Sequence, residues 1–148
     1  MKNKLWVNIL YMLTFITQVG IVIGTFVAEY LTNKKAGVMH HVYYKRYQFE
    51  NSIFSESNIS TQKIILIILI AIFLVLAIIL LRSKRNSFVK IQSILTLLIS
   101  LTLYIVMNSS YFINMLAYHY FIMAFALVLM IQVLVLFISW LIDKKFNE

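Results

Sequence analysis

Cysteine and proline are absent from the 148-residue sequence, and glycine occurs only three times. Without cysteine the chain can form neither disulfides nor thiolate metal sites, and it has no thiol that could pass electrons to a membrane quinone. The three glycines, Gly20, Gly24 and Gly37, are too few and too scattered for a glycine-rich phosphate-binding loop. These absences exclude membrane thiol oxidoreductases and nucleotide-binding proteins of the phosphate-loop kind.

Acidic side chains are also scarce, since only five of the residues are Asp or Glu. Glu29, Glu50, Glu56, Asp143 and Glu148 form no pair within an apolar segment, so an intramembrane aspartic protease dyad is missing. No serine stands in the glycine-flanked turn that exposes a hydrolase nucleophile. We therefore expect a protein that is not an enzyme.

Apolar residues, in contrast, make up 62% of the chain, and one stretch of them is uninterrupted. Residues 64–81 form an eighteen-residue run without a polar side chain, and Arg82, Lys84 and Arg85 follow it. A helix of that length covers about 27 Å, close to the ~30 Å hydrocarbon core of a bilayer. This run predicts a transmembrane helix that ends at a cluster of positive charge.

The same pattern recurs along the chain and predicts an all-α integral membrane protein. We expect a single domain, residues 1–148, that forms a four-helix transmembrane bundle with spans at 5–31, 62–81, 89–113 and 118–142. The first apolar run is too long for a signal peptide and lacks a small-residue cleavage pattern, so it is expected to remain as a span. Residues 32–61 are left as a partly structured extracytoplasmic loop.

The basic residues that give the chain its net charge of +8 lie mostly at the ends of the apolar runs. This placement favours lipid headgroups over nucleic acid as the partner of these residues. Eight of the thirteen basic residues fall on the side of the two termini: Lys2, Lys4, Arg82, Lys84, Arg85, Lys90, Lys144 and Lys145. Because short loops rich in Lys and Arg stay in the cytoplasm, both termini are predicted to be cytoplasmic. A multi-pass protein of a bacterial cytoplasmic membrane is the expected setting.

Polar residues recur every four positions in the third span and are predicted to face the bundle interior, because polar side chains are costly in lipid. The predicted interior set is Gln18, Gln92, Thr96, Ser100, Tyr104, Asn108 and Gln132. A polar path for a small solute, as in a carrier or pore, is an alternative use of this stripe. No ionisable residue lies mid-membrane, where ion-coupled transporters usually have one.

Two further features belong to the first span. Gly20 and Gly24 form a GxxxG pattern, which predicts close helix packing, either within the bundle or between two copies of the chain. Glu29 lies near the outer end of this span, where we expect it to pair with Lys45 or Arg46 or to reach headgroup water.

The loop between the first two spans carries the strongest candidate for a contact surface. Its aromatic and basic residues predict a partner-binding site at Tyr43, Tyr44, Lys45, Arg46, Tyr47 and Phe49. Neither a helical nor a strand period is clean here, so both conformations stay open. An interfacial aromatic belt is the alternative to a recognition surface.

Histidine and methionine supply a different hypothesis, a metal- or haem-handling membrane protein. The residues that would hold copper, zinc or haem iron are His40, His41 and His119, with Met39 and Met115. No HxH or HExxH spacing supports such a site, and no cofactor is expected. The favoured function is an accessory subunit of a membrane complex, or an immunity-type protein that protects against a membrane-active peptide.

Overall fold

The computed structural model describes the backbone of residues 2–147 and the side chains of residue 9 and residues 11–143. In this part of the chain the regular structure is entirely helical. The helices are α1 (Lys2–Lys34), α2 (Ala36–Glu50), α3 (Glu56–Arg82), α4 (Ser87–Asn108), α5 (Ser110–Ile113) and α6 (Tyr118–Asn147). Four of them, α1, α3, α4 and α6, are long and apolar enough to cross a membrane. The prediction of an all-helical chain with four such helices is confirmed.

The four long helices pack in the order α1–α6–α4–α3. The central pair buries 39% (α4) and 44% (α6) of its apolar stretch, against 11% for α1 and 17% for α3. Over the described residues α1 and α3 share no extensive interface, so the arrangement is open on one side rather than a closed ring. The run 64–81 of α3 has no polar side chain, which suits this outer position because nothing in it needs a polar partner.

The segment left open between helix and strand forms α2, a helix of fifteen residues. The described chain contains no strand with which it could pair, and an isolated strand would leave its backbone N–H and C=O groups without partners. Two side chains then fasten the connection to the first turns of α3. Asn58 Nδ2 donates to the carbonyl of Ser52 at 2.9 Å, and Gln62 Nε2 donates to that of Ile53 at 3.1 Å. As a result α3 begins at Glu56, six residues before the predicted span at residue 62.

The third predicted span, residues 89–113, is divided in the structure. α4 ends at Asn108, Ser109 is extended (φ −75°, ψ 125°), and the short α5 follows. Asn108 Nδ2 donates to the carbonyl of Tyr104 in the last turn at 2.9 Å. Short polar side chains of this kind compete for backbone hydrogen bonds, which is why consecutive Asn and Ser residues favour a helix end.

The opposite end of the bundle is tied by an ion pair between the α3–α4 connection and α6. Arg85 Nη1 lies 3.3 Å from Asp143 Oδ2, and its guanidinium stands 5.8 Å from the centre of the Trp140 ring. Asp143 is buried and Arg85 half-buried. Of the other basic residues predicted at this end, Arg82 and Lys84 are exposed and Lys90 is half-buried, while the side chains of Lys2, Lys4, Lys144 and Lys145 lie outside the described residues.

Candidate functional site

One candidate region, called the cap here, comprises α2, the connection 51–55 and the segment 114–120 at the start of α6. A helix places residues four and seven positions apart on one side. In α2 this side holds Val42, which is buried, with Arg46 and Phe49, which are half-buried. This inward side docks α2 onto the end of the bundle, and the opposite side stays exposed.

Aromatic rings around His119 form the core of the cap. The imidazole ring centre lies 5.1 Å from that of Phe54, 5.2 Å from that of Tyr118 and 6.2 Å from that of Phe49. His119 is only 2% exposed, and its Nδ1 has no hydrogen-bond partner among the described residues. The rings provide packing but no acceptor or donor for this nitrogen. The residue therefore joins α2 and the connection to α6 through ring contacts.

Arg46 adds a polar link between α2 and the segment before α6. Its Nη1 donates to the carbonyl of Met115 at 3.1 Å, while its Nε donates to Glu50 Oε1 at 2.8 Å. Hydrogen bonds from a charged donor are stronger than neutral ones. Arg46 and Phe49 were predicted to contact a partner, but the structure turns both toward the chain itself, because helical spacing places them beside Val42.

The exposed side of α2 carries three tyrosines, called the tyrosine face here. Tyr43, Tyr44 and Tyr47 are 61%, 57% and 65% exposed. Met39 and His40 extend the same side toward the start of the helix. Lys45, also in the predicted contact set, is half-buried, and its Nζ donates to Gln48 Oε1 at 3.1 Å. Of the six predicted contact residues, the three tyrosines are the ones that the structure leaves open.

Glu29 does not pair with Lys45 or Arg46, contrary to the expectation from sequence. Its Oε2 accepts the backbone N–H of Ala117 at 3.0 Å, and its Oε1 accepts the Asn33 amide at 3.1 Å. The carbonyl of Ala117 accepts the first backbone hydrogen bonds of α6, so Glu29 lies at the N-terminus of that helix. A carboxylate is stabilised there by the unpaired N–H groups and the helix dipole. The pairing joins residues 88 positions apart, which no local pattern predicts.

The predicted metal ligands are not brought together. His40 and His41 are exposed on α2, whereas His119 is enclosed by rings. Met39 is exposed and Met115 half-buried. Within the described side chains no group of three or more His, Asp or Glu residues is placed to hold a metal ion.

The second candidate region is a row of three buried carboxamides, called the glutamine chain here, which links α1, α6 and α4. Gln18 Nε2 donates to Gln132 Oε1 at 3.0 Å, and Gln132 Nε2 donates to Gln92 Oε1 at 2.7 Å. Gln132 Nε2 also lies 3.4 Å from the carbonyl of Gln92. All three residues belong to the predicted interior set, and each comes from a different long helix.

The rest of that set behaves differently. Thr96 and Ser100 are fully buried, but their hydroxyls donate to the carbonyls of Gln92 and Leu97 in their own helix. Tyr104 is half-buried and Asn108 is exposed. Four residues are about 40° more than one helical turn, so the stripe moves around α4 at each step. Placing Asn108 in the interior was wrong for this reason, since four steps carry it about 160° around the helix.

A cavity of about 330 Å³ lies beside the glutamine chain between α1, α4 and α6. Its remaining walls are mostly aliphatic and aromatic, including Val22, Leu95, Ile99, Phe125 and Val128. A hydroxyl pair closes one end of the α1–α6 contact, where Ser139 Oγ is 2.9 Å from the Tyr11 hydroxyl and 2.6 Å from the carbonyl of Val135. Because serine has one proton and gives it to the carbonyl, tyrosine donates to serine. Tyr11 was not among the residues predicted from the sequence.

The glycines of α1, Gly20 and Gly24, pack against none of the described residues. A methyl group added at Gly20 or Gly24 would meet no atom within 4 Å, and both residues are exposed. The prediction that they pack inside the bundle was wrong, because α1 contacts α6 through a different side, the one that carries Gln18 and Thr25. Their face is uncovered in the single chain.

The cap and the cavity thus offer two kinds of contact. The tyrosine face is an open surface on a docked helix, and the glutamine cavity is a largely apolar space with a polar wall. Neither holds the paired acids or the activated nucleophile that hydrolytic chemistry requires. In comparisons with known proteins, no family model, curated protein or solved structure matches this chain.

Proposed function

We propose that α1, α3, α4 and α6 span a bacterial cytoplasmic membrane, with both termini in the cytoplasm and the cap on the extracytoplasmic side. Four helices of sufficient length and hydropathy support the insertion. The excess of Lys and Arg near the termini and in the α3–α4 connection supports the orientation. In this arrangement the exposed apolar side chains of α1 and α3 lie in lipid.

We further propose that the protein is a non-enzymatic binding protein that recognises another membrane protein or a membrane-active peptide through the tyrosine face. An accessory subunit and an immunity-type protective protein are the two forms of this role. The observation that carries the proposal is the exposure of Tyr43, Tyr44 and Tyr47 on a helix whose other side is fixed by Phe49 and Arg46.

A fixed helix favours binding, because less conformational entropy is lost when a partner docks on it. Tyrosine is among the residues that contribute most to interface energies, since it buries a large ring and keeps a hydroxyl for hydrogen bonding. Lys34 and Lys35 are exposed just before α2. We therefore expect a partner surface with apolar pockets for the rings and acidic groups beside them.

An interfacial aromatic belt would use the same tyrosines differently, because it would anchor them in lipid headgroups. Site-specific photocrosslinking in native membranes separates the two roles. A benzophenone amino acid replaces Tyr43 or Tyr47, and the control position is Tyr111, which is 66% exposed on α5. Protein adducts of one defined mass at Tyr43 and Tyr47, and none at Tyr111, are the expected result. Lipid adducts alone at all three positions would contradict the proposal.

A substitution test complements the crosslinking. Tyr43→Ser, Tyr44→Ser and Tyr47→Ser are combined, and the matched control combines Tyr30→Ser with Tyr111→Ser, two exposed tyrosines outside α2. We expect the first variant to lose the adducted partner on co-purification while both variants insert and stay folded. Retention of the partner by the first variant would move the binding surface elsewhere.

The other functions considered have less support from geometry. A metal- or haem-handling role would need His40 and His41 to approach His119, and the first two are exposed while the third is enclosed. A solute carrier or pore would use the cavity, but the described cavity wall has no acidic or basic residue to couple transport to an ion.

A further inference from the structure

The glutamine chain leaves hydrogen-bonding groups unused at its two ends. Three amides linked in a row use one donor and one acceptor at each link, so one terminal amide keeps its NH₂ group and the other keeps its carbonyl oxygen. In the structure these are Gln92 Nε2 and Gln18 Oε1, which take part in no hydrogen bond with the described residues. If every amide were reversed, the unused NH₂ group would belong to Gln18 and the unused carbonyl oxygen to Gln92, so one donor group and one acceptor would still be left.

Both unused groups belong to residues that line the cavity, as does the middle amide Gln132. Each of the three is at least nine-tenths buried. Neither of the two unused groups is fully enclosed by protein atoms, so a ligand can reach them. An amide group without a partner inside a membrane is costly, so a ligand that supplies the missing hydrogen bonds is favoured. None of the described residues that line the cavity is Lys, Arg, His, Asp or Glu, so a charged head would meet no counter-charge from them.

The cavity also has a route to the bilayer. α1 and α4 both pack on α6, which forms the floor between them. The rim on the α1 side consists of Phe15, Val19 and Ile23, which line the cavity and are exposed at the protein surface. In a membrane this opening faces acyl chains, so an occupant enters from lipid rather than from water.

We propose that the glutamine cavity binds the head of a neutral single-chain lipid with at least two hydroxyl groups, of the monoacylglycerol type. Hydroxyls both donate and accept, so such a head can give a hydrogen bond to Gln18 Oε1 and take one from Gln92 Nε2. A volume of about 330 Å³ is at the lower end of small-molecule sites, enough for the head and the first part of one chain. The remainder of the chain passes between α1 and α4 into the bilayer.

A water-filled path is the competing occupant, and the walls argue against it. Water in a protein cavity needs two to four polar partners each. The two unused amide groups offer one partner each, and the other polar side chains that the described residues place on the wall, Tyr11 and Thr14, already hydrogen-bond elsewhere. An amphiphile places its chain against the apolar walls and its head at the amides.

The test uses a photoreactive monoacylglycerol with a diazirine in its chain, added to the purified protein in phosphatidylcholine vesicles. We expect labelling of α1, α4 and α6 residues that line the cavity, and we expect excess unlabelled monoacylglycerol to reduce it at least fivefold. The methyl ester of the same acyl chain, which lacks hydroxyls, should compete at least fivefold less well. Equal competition by the ester would overturn the assignment of a hydroxyl head.

Two variants locate the site. Val19→Trp fills the rim from an exposed position, so it should preserve folding and lower cavity labelling at least fivefold. Gln132→Leu removes the middle amide of the glutamine chain, so monoacylglycerol should no longer compete better than the ester. Thr102→Val is the control, because Thr102 is exposed on α4 and bonds only its own helix. Labelling spread evenly over all lipid-facing helices, and unaffected by Val19→Trp, would refute the site.

Discussion

The cap and the glutamine chain both bury polar groups between helices, but they satisfy them in opposite ways. In the cap, charged side chains bond backbone groups of the segment just before α6: Arg46 bonds the carbonyl of Met115, and Glu29 of α1 bonds the N–H of Ala117. In the middle of the bundle, three neutral amides bond mainly one another. A segment between helices has backbone groups without helical partners, whereas in the interior of a helix each N–H is already paired and a carbonyl offers only its second lone pair. Charged side chains therefore bond the backbone where one helix leads into the next, and amide side chains bond one another where two helices pack side by side.

The two sides of α2 differ in the same way: one side docks the helix onto the bundle, and the other is the proposed surface for a partner. The inward side of α2 is held by rings and by one cation, while the tyrosine face makes few contacts with the chain. Substitutions on the inward side should loosen the cap, and those on the tyrosine face should not. Substitutions in the glutamine chain should change how the helices pack without releasing the cap.

The largest effect is expected for Phe49→Ala. Phe49 contacts the rings of Phe54, His119 and Tyr120, with centroid distances of 6.0–6.2 Å. Loss of a buried phenylalanine ring costs about 3–5 kcal/mol, and a half-buried one should cost about 2–3 kcal/mol. Hydrogen exchange of the α2 amides measures this cost as faster opening. Tyr43→Ala is the control and should change it by less than about 0.5 kcal/mol; equal effects would remove the distinction between the two sides.

Arg46→Met should come next, at about 1.5–3 kcal/mol, because it removes a hydrogen bond from a charged donor to the Met115 carbonyl. The methionine keeps most of the side-chain volume, so the loss reports the polar link. Limited proteolysis at residues 51–55 should become faster. Lys45→Met is the control, because Lys45 adjoins Arg46 in the sequence and its Nζ bonds the side chain of Gln48; this variant should leave the cleavage rate unchanged. Faster cleavage in both variants would point to the lost charge rather than the lost hydrogen bond.

How far the sequence predicts these features depends on the range of the interactions. The four long helices follow from apolar runs of sufficient length, and the outer position of α3 follows from the absence of polar side chains at 64–81. The drift of the α4 stripe could have been predicted too, because a four-residue step exceeds a helical turn by about 40°. Asn108 falls outside the interior on that arithmetic alone.

Other features depend on which helices become neighbours. The pairing of Glu29 with Ala117, and the enclosure of His119 by Phe49 and Phe54, join segments that are far apart in the chain. The orientation of Arg46 follows once α2 is known to be helical and to dock through Val42, but the mixed period of 38–50 left that conformation open. The open Gly20–Gly24 face likewise depends on which side of α1 meets α6.

A smaller effect is expected for Gln132→Leu. The substitution removes two interhelical hydrogen bonds, which average about 0.6 kcal/mol each in membrane proteins, so the loss should be about 1 kcal/mol. Reversible unfolding in mixed micelles measures it. Hydrogen exchange in α2 should stay the same, because the cap and the glutamine chain are independent of each other. Faster exchange in α2 would mean that the two regions are coupled.

The smallest effect is expected for Gly20→Ala, because an added methyl group meets no atom within 4 Å. Alanine favours helix over glycine by up to about 1 kcal/mol, so unfolding in micelles should be unchanged or slightly harder. Ala77→Leu on α3 is the control, since Ala77 is buried and overpacking costs about 1–3 kcal/mol. A destabilised Gly20→Ala variant would show that α1 uses its glycines for packing.

Cysteine accessibility tests most directly whether a partner covers the tyrosine face, and the absence of native cysteine gives the measurement no background. Single cysteines replace Tyr43, Tyr111 and the buried Val42, and a membrane-impermeant maleimide is added from outside. In vesicles made from extracted lipid, Tyr43→Cys and Tyr111→Cys should react quickly and Val42→Cys slowly. In native membranes Tyr43→Cys alone should become protected. Equal reactivity of Tyr43→Cys in both settings would contradict the proposed binding surface.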